Sequence, residues 1–216
     1  MSLENFSYHE HPELKGKHSF LSPSKIAWQN YDDDKLILSY KSSRAAEIGT
    51  ALHELVTTYI DKMERPTKSE LSGAIRYDLL RRDLPLYLDI DAVVENIRNY
   101  IRDAIGFRMK TEFVLKYSDK CFGTADTLVF NRKKGILRIH DLKTGITPAK
   151  IEQLNAYAAL FCLEYKIRPA DIDIFLRIYQ DGEIFELKPE LDILVPLMDD
   201  IVHKSKILAD IDSGEI

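Results

Sequence analysis

Apolar residues return every four positions after Ser42-Ser43, at Ile48, Leu52, Val56 and Ile60, and this period lays one buried stripe along a long helix. Pro66 ends it, because proline has no N–H to donate and its ring clashes with the preceding turn. Two more helices are predicted over 69–82 and 89–105, separated by Leu84-Pro85. Val93, Val94, Ile97, Tyr100, Ile101 and Ala104 give the second its apolar face, and Gly106 supplies its C-terminal stop. From residue 111 the period changes to two. Thr111 to Tyr117 sets Glu112, Val114 and Lys116 against Phe113, Leu115 and Tyr117, which is the alternation of a strand. Gly123 permits a tight approach to the apolar segment Thr127-Phe130. A turn follows at Asn131-Gly135, and a second strand runs from Ile136 to Lys143.

Thr147-Pro148 then offers an N-cap and a first-turn proline for a helix over 148–165, with Ile151, Leu154, Ala158 and Phe161 on its packing side. Asp171 to Gln180 alternates again. Asp181-Gly182 is a hairpin signal leading into Glu183 to Leu187. A helical pattern over 189–210 follows, with Pro196 as a break or kink. The predicted fold is α/β: a central mixed β-sheet of three antiparallel strands, a crossover helix and a hairpin, with helices over both faces. Upstream, residues 1–20 are polar, carry His9, His11 and His18 at no helical spacing, and read as an irregular arm. Ser22-Pro23 starts a short helix through Ile26, Ala27 and Trp28, and Asp32-Asp33-Asp34 closes that segment as a solvated run. One domain over 1–216 is expected, made of the arm, a helical region over 42–106, a core over 111–187 and a C-terminal helical segment over 189–212.

Composition narrows this picture. With 45% hydrophobic and 30% charged residues the chain can build a proper core, and no apolar run reaches the length of a membrane span. The start, up to Glu13, is polar and acidic, so no membrane partner and a cytoplasmic location are expected. Cys121 and Cys162 are only two and lack C-x-x-C spacing, so neither a disulfide framework nor a cysteine-held zinc is indicated. The net charge of −5 argues against an extended non-specific DNA-binding surface. Basic clusters at Arg76, Arg81 and Arg82, at Arg108 and Lys110, and at Arg132, Lys133 and Lys134 read as solvated faces or as local phosphate contacts.

The candidate chemistry sits between Gly123 and Tyr157. Strand parity puts Asp141 and Lys143 on one face and Leu142 on the other, and antiparallel pairing brings Asp126 beside Asp141. Two carboxylates and an ammonium at one end of a sheet suit metal-assisted hydrolysis of a phosphodiester. Hard oxygen ligands hold Mg²⁺, which lowers the pKa of a bound water, and a lysine supplies a point charge for the water or the transition state. Gly49 inside the first long helix costs about 1 kcal/mol relative to alanine, so a backbone or a metal site is expected close by. His53 lies four residues on; taken alone, a helical histidine is more often packed or at the surface. By residue pattern alone Glu112 reads as a surface partner of Lys116. Gln153 and Tyr157, four apart, share a helical face.

These pieces together carry a resemblance. Gly123-Thr124-Ala125-Asp126, Asp141-Leu142-Lys143-Thr144-Gly145 and Gln153 with Tyr157, preceded by Gly49 and His53, resemble the PD-(D/E)xK nuclease superfamily in its RecB-like and phage-exonuclease branch. That branch shows G-x-x-D, D-x-K-T-G and Q-x-x-x-Y with an upstream helical histidine. A lone D-x-K is weak, whereas matched pieces in the right order over about residues 45–180 are much stronger. The resemblance implies a restriction-endonuclease-like core and a Mg²⁺- or Mn²⁺-dependent deoxyribonuclease, an exonuclease of recombination or repair. Asp126 and Asp141 would hold the metal, with the backbone carbonyl of Leu142, His53 and Glu112 completing its shell. Lys143 would act on water or phosphate, and Gln153 and Tyr157 would approach the active site and the DNA backbone. Some relatives carry a four-cysteine iron–sulfur cluster, for which this chain lacks the ligands. The resemblance leaves open a homo-oligomer and a recombination partner protein. A nuclease-derived scaffold or DNA-binding subunit and a metal-dependent RNA-processing enzyme are the alternatives.

Overall fold

Each long apolar period becomes an element of the computed structural model, which describes residues 11–15, 19–86, 89–145 and 150–214. Helix α1 spans Asp33–Asp61 and so begins ahead of Ser42-Ser43. Asp32 Oδ1 accepts the Lys35 N–H at 2.8 Å, and Asp33 and Asp34 sit in the first turn, where the helix dipole favours negative charge. The aspartate run therefore starts a helix instead of closing a segment. Ser43 lies within α1, its Oγ donating to the Tyr40 carbonyl at 2.8 Å.

The chain divides into two compact units, one ending at Arg44 and one starting at Ala45. In the first, a 3-10 turn covers Pro12–Leu14, and a 3-10 helix covers Pro23–Asn30 with Ser22 at its N-cap position. The Trp28 indole N–H donates to the Ser22 carbonyl at 2.9 Å, and Phe20 meets Tyr40 edge to face at 5.1 Å. Of the arm histidines, His11 is exposed, and His9 and His18 lie outside the described residues.

In the second unit the predicted stripe Ile48, Leu52, Val56 and Ile60 is buried, contributing roughly 1.5–3 kcal/mol per side chain. Helix α2, Lys68–Arg81, opens with a capping box in which Thr67 and Glu70 satisfy each other's backbone N–H groups. Helix α3, Ile90–Phe107, opens on Asp89, whose carboxylate accepts the N–H groups of Asp91 and Ala92. Gly106 does not stop it. The helix runs on to Phe107, which packs edge-on against His140 at 5.8 Å, and it reverses at Arg108 with φ +56°.

Five strands follow: β1 (Lys110–Ser118), β2 (Cys121–Asn131), β3 (Ile136–Leu142), β4 (Asp173–Gln180) and β5 (Glu183–Leu187). They lie in the order 1-2-3-4-5. The β3–β4 pair is parallel and bridged in sequence by α4, Ile151–Tyr165; the other neighbours are antiparallel. This is the expected mixed α/β sheet flanked by helices. Asp181 and Gly182, with φ +52° and +78°, turn β4 into β5 as a two-residue hairpin. One core joins α1, α2 and α3 to Leu142 and Tyr179; the other joins α4 to Leu128, Leu137, Ile139, Leu176 and Ile178. Thr147-Pro148 lies outside the described residues, and α4 is helical from Ile151 with Lys150 at its N-cap position. Helix α5, Leu191–Ser213, runs through Pro196 as one helix, since a proline near a helix start forfeits a single backbone bond.

Candidate functional site

One backbone irregularity builds the site. The β1–β2 ladder pairs Thr111 with Thr127 and Phe113 with Ala125, but not the Glu112–Asp126 step between them. There Glu112 adopts φ +45°, a left-handed conformation that costs a non-glycine residue of order 1–3 kcal/mol. Both strands turn over at this step. Thr111 and Thr127 reach the helical side, to Asp61 at 2.6 Å and Tyr100 at 3.1 Å, whereas Ala125 joins the core under α4. Glu112 and Asp126 are thereby brought to His53 on α1. Ligand atoms of His53, Glu112 and Asp126 all lie within 4.8 Å of one another, and His53 Nδ1 is 3.6 Å from Asp126 Oδ2. They face an open groove of about 770 Å³ that Gly49 and Thr50 also line. Glu112 thus joins the site and not Lys116, whose ammonium is taken by Asp119.

On the neighbouring strand Asp126 Oδ2 accepts the Leu142 N–H at 2.9 Å, which ties β2 to the end of β3. The Leu142 side chain is buried in the helical-side core, as parity requires, and Asp141 faces the other way. Asp141 is 4% exposed. Lys143 Nζ lies 3.0 Å from its Oδ1 and 2.9 Å from its Oδ2, and Oδ2 has no hydrogen-bond partner of good geometry. Asp141 is outside the His53–Glu112–Asp126 triad, yet its charge is felt there. Burial first, and the Asp141 charge with it, pushes the Asp126 carboxyl up to about 6, against the opposing effects of His53, the Leu142 N–H and Lys143.

A polar relay continues from Lys143. Its ammonium lies 3.4 Å from Gln153 Oε1, Gln153 Nε2 lies 3.4 Å from the Tyr157 hydroxyl, and that hydroxyl donates to the Thr124 carbonyl at 2.7 Å. The helical face predicted for Gln153 and Tyr157 therefore meets both strands of the site. Gly123 makes room for it: a Cβ there would lie 3.0 Å from Tyr157 Cε1. At Gly49, where a backbone or a metal site is expected, the neighbour that a Cβ would meet is a side chain, the Thr144 hydroxyl at 3.3 Å.

Asn96 was not singled out in the sequence. Its side-chain amide donates to the carbonyls of Lys143 and Tyr179, each at 3.1 Å, while the Lys143 N–H donates to the same Tyr179 carbonyl at 2.9 Å. The signal was available: Asn96 stands three residues after Val93 and four before Tyr100, an amide on the apolar stripe of α3. His140, adjacent to Asp141, points to the opposite face. Burial, with Arg177 and Arg138 nearby, drives it down to about 3, so it is neutral, packed on Tyr179 and Phe107.

No helix among the described residues is long and apolar enough to cross a membrane. No curated protein matches the sequence. Residues 18–167, more than half of the chain, match the family described as a protein of unknown function, DUF2800, and the chain belongs to that family.

Proposed function

We propose that this chain is a Mg²⁺- or Mn²⁺-dependent deoxyribonuclease of the PD-(D/E)xK kind, close to the RecB-like and phage-exonuclease branch. One observation carries the reading: the convergence of His53, Glu112 and Asp126 within 4.8 Å beside the Asp141–Lys143 pair. The donor set fits a divalent cation. It offers two carboxylates and an imidazole, open to a groove on one side, with a third carboxylate close enough to raise the Asp126 pKa. Clustered carboxylates in a poorly solvated place repel one another, and a cation removes that repulsion. When bound, the ion would lower the pKa of a water and offset charge developing on the phosphate.

The chain's own residues then have distinct tasks. His53, Glu112 and Asp126 would hold the ion, with Asp141 and the Leu142 carbonyl as further ligands. Lys143, spanned between Asp141 and Gln153, keeps a positive charge beside the site, where it can orient the attacking water or steady the phosphate oxygens. Tyr157 and Gln153 fix that ammonium from α4.

The test uses purified protein with linear, nicked and single-stranded DNA in Mg²⁺, Mn²⁺ or chelator. Metal-dependent loss of substrate is expected, with an exonuclease shortening linear DNA from its ends. No degradation of any of the three, together with DNA binding that is equally tight in chelator, would replace the enzyme by a nuclease-derived DNA-binding scaffold.

A further inference from the structure

A second charged feature lies away from the metal centre. The β2–β3 turn carries Arg132, Lys133 and Lys134, and the reversal after α3 brings Arg108 and Lys110 to the same end of the sheet. Two open grooves of about 460 and 540 Å³ meet there, and Arg108, Phe130 and Arg132 line both. Asn131 is five residues beyond Asp126 on β2, about 17 Å along the strand.

We propose that these joined grooves bind a segment of single-stranded nucleic acid, apart from the candidate metal centre. All five cationic side chains are exposed, and among the described residues none of them makes an ion pair. In a chain with 35 acidic residues and a net charge of −5 this is selective placement. The acids next to the turn are taken elsewhere, Asp171 by Arg168 and Asp173 by Lys188. Neighbouring like charges repel; phosphates of a polyanion offset that repulsion, and the cationic side chains in turn release the counterions condensed on those phosphates. The grooves also hold aromatic rings: Tyr165, 46% exposed, packs at a tilt of 40° against Phe161, which packs at 60° against Phe130, while the Phe107 ring carries the Arg138 guanidinium 4.3 Å from its centroid and leaves Tyr165 as the ring open to a base. Cations interleaved with aromatic rings suit phosphates and unstacked bases together, whereas an acidic peptide has no use for the rings. The choice of nucleic acid over other polyanions also rests on the nuclease reading.

Binding is measured in chelator, so that no cleavage intervenes, using a labelled oligothymidylate, a duplex of the same length and a polyglutamate of equal charge. The variant R108A/R132A/K133A/K134A should bind the oligothymidylate at least 10-fold more weakly. Its log–log salt slope should shrink by roughly 0.7 for each phosphate that the variant no longer neutralises. Tyr165→Ala should weaken binding by roughly 5- to 150-fold with the salt slope unchanged, as removal of one base stack does. Matching thermal melts check that both variants fold, and Lys133→Glu alone should weaken binding in the same direction. Wild-type affinity and slope in the fourfold variant overturn the proposal. So does polyglutamate competing as well as the oligonucleotide, or tighter binding of duplex that depends on the same residues. A protein that cleaves DNA with Mn²⁺ while the fourfold variant binds normally loses this groove but keeps the nuclease. One that never cleaves while the variant loses binding does the reverse.

Discussion

Asp126 carries its charge where burial and a neighbouring carboxylate make charge costly. Its carboxyl stands at about 6 in the folded chain against an ordinary 3.8. A raised carboxyl pKa contributes stability that is present below the unfolded value and lost as pH rises through the folded one. The metal-free chain should therefore lose about 2–3 kcal/mol between about pH 4 and pH 6, and remain at that deficit at neutral pH. Asp126→Asn keeps an oxygen for the Leu142 N–H and removes the charge. It should melt at a higher temperature than wild type in chelator at pH 8, lose that advantage near pH 4, and bind no Mn²⁺. A variant less stable than wild type at pH 8 contradicts the assignment. Two other substitutions separate charge from ligation. Lys143→Ala should bind Mn²⁺ and DNA while cleaving about 10²- to 10³-fold more slowly, the usual worth of one preorganised electrostatic contact. Asp141→Asn should weaken Mn²⁺ in titration calorimetry as well as cleavage. Equal metal affinity in the two variants would remove Asp141 from the metal shell.

At the scale of elements, the site depends on segments that hold backbone in place. Asn96 of α3 grips the carbonyls of Lys143 and Tyr179 where β3 ends, so the position of the lysine is set by a helix remote in sequence. Asn96→Ala should cost about 1–3 kcal/mol, the worth of two hydrogen bonds at roughly 0.5–1.5 kcal/mol each, since the Tyr179 carbonyl keeps the Lys143 N–H. By displacing Lys143 it should slow cleavage by roughly 10²-fold. Mn²⁺ affinity, read by titration, should fall much less than the rate, because His53, Glu112 and Asp126 hang on other elements and only the Leu142 carbonyl adjoins the displaced lysine; an equal loss of metal binding and rate would make Asn96 a general scaffold residue. This division explains what was legible in the sequence. Parity along β3 placed Asp141, Leu142 and Lys143, and helical spacing placed Gln153 and Tyr157, because regular elements obey regular periods. The turn-over at Glu112 and Asp126 was not legible, since a left-handed glutamate in a strand follows no period and left Glu112 poised between site and surface. Helix ends depart from the sequence pattern where one cap competes with another: Asp32 outranks Ser42-Ser43, and α3 runs past Gly106 to the Phe107–His140 contact.

For the whole molecule, a metal held by α1, β1 and β2 ties together segments more than 70 residues apart in sequence, from His53 to Asp126. The unfolded chain has no such site, so binding adds to folding stability by mass action. Mn²⁺ at 100 times its Kd should add about 2.7 kcal/mol. For a unit of this size that is a rise of roughly 5–10 °C in melting temperature. Every ligand of the triad lies in the unit that begins at Ala45, and the unit ending at Arg44 supplies none. If the two units melt in separate steps, only one step should move with Mn²⁺. His53→Ala should reduce the shift by weakening affinity roughly 10- to 100-fold, the effect of losing a group that orients or completes a metal shell, and Asp126→Asn should abolish it. Protons compete for Asp126, so the shift should also fade as pH drops below about 6. Calorimetric scans of the three proteins at pH 8 and pH 5 measure all of this together. An equal Mn²⁺ shift in wild type and Asp126→Asn would locate the ion somewhere other than the groove between α1 and the β1–β2 step.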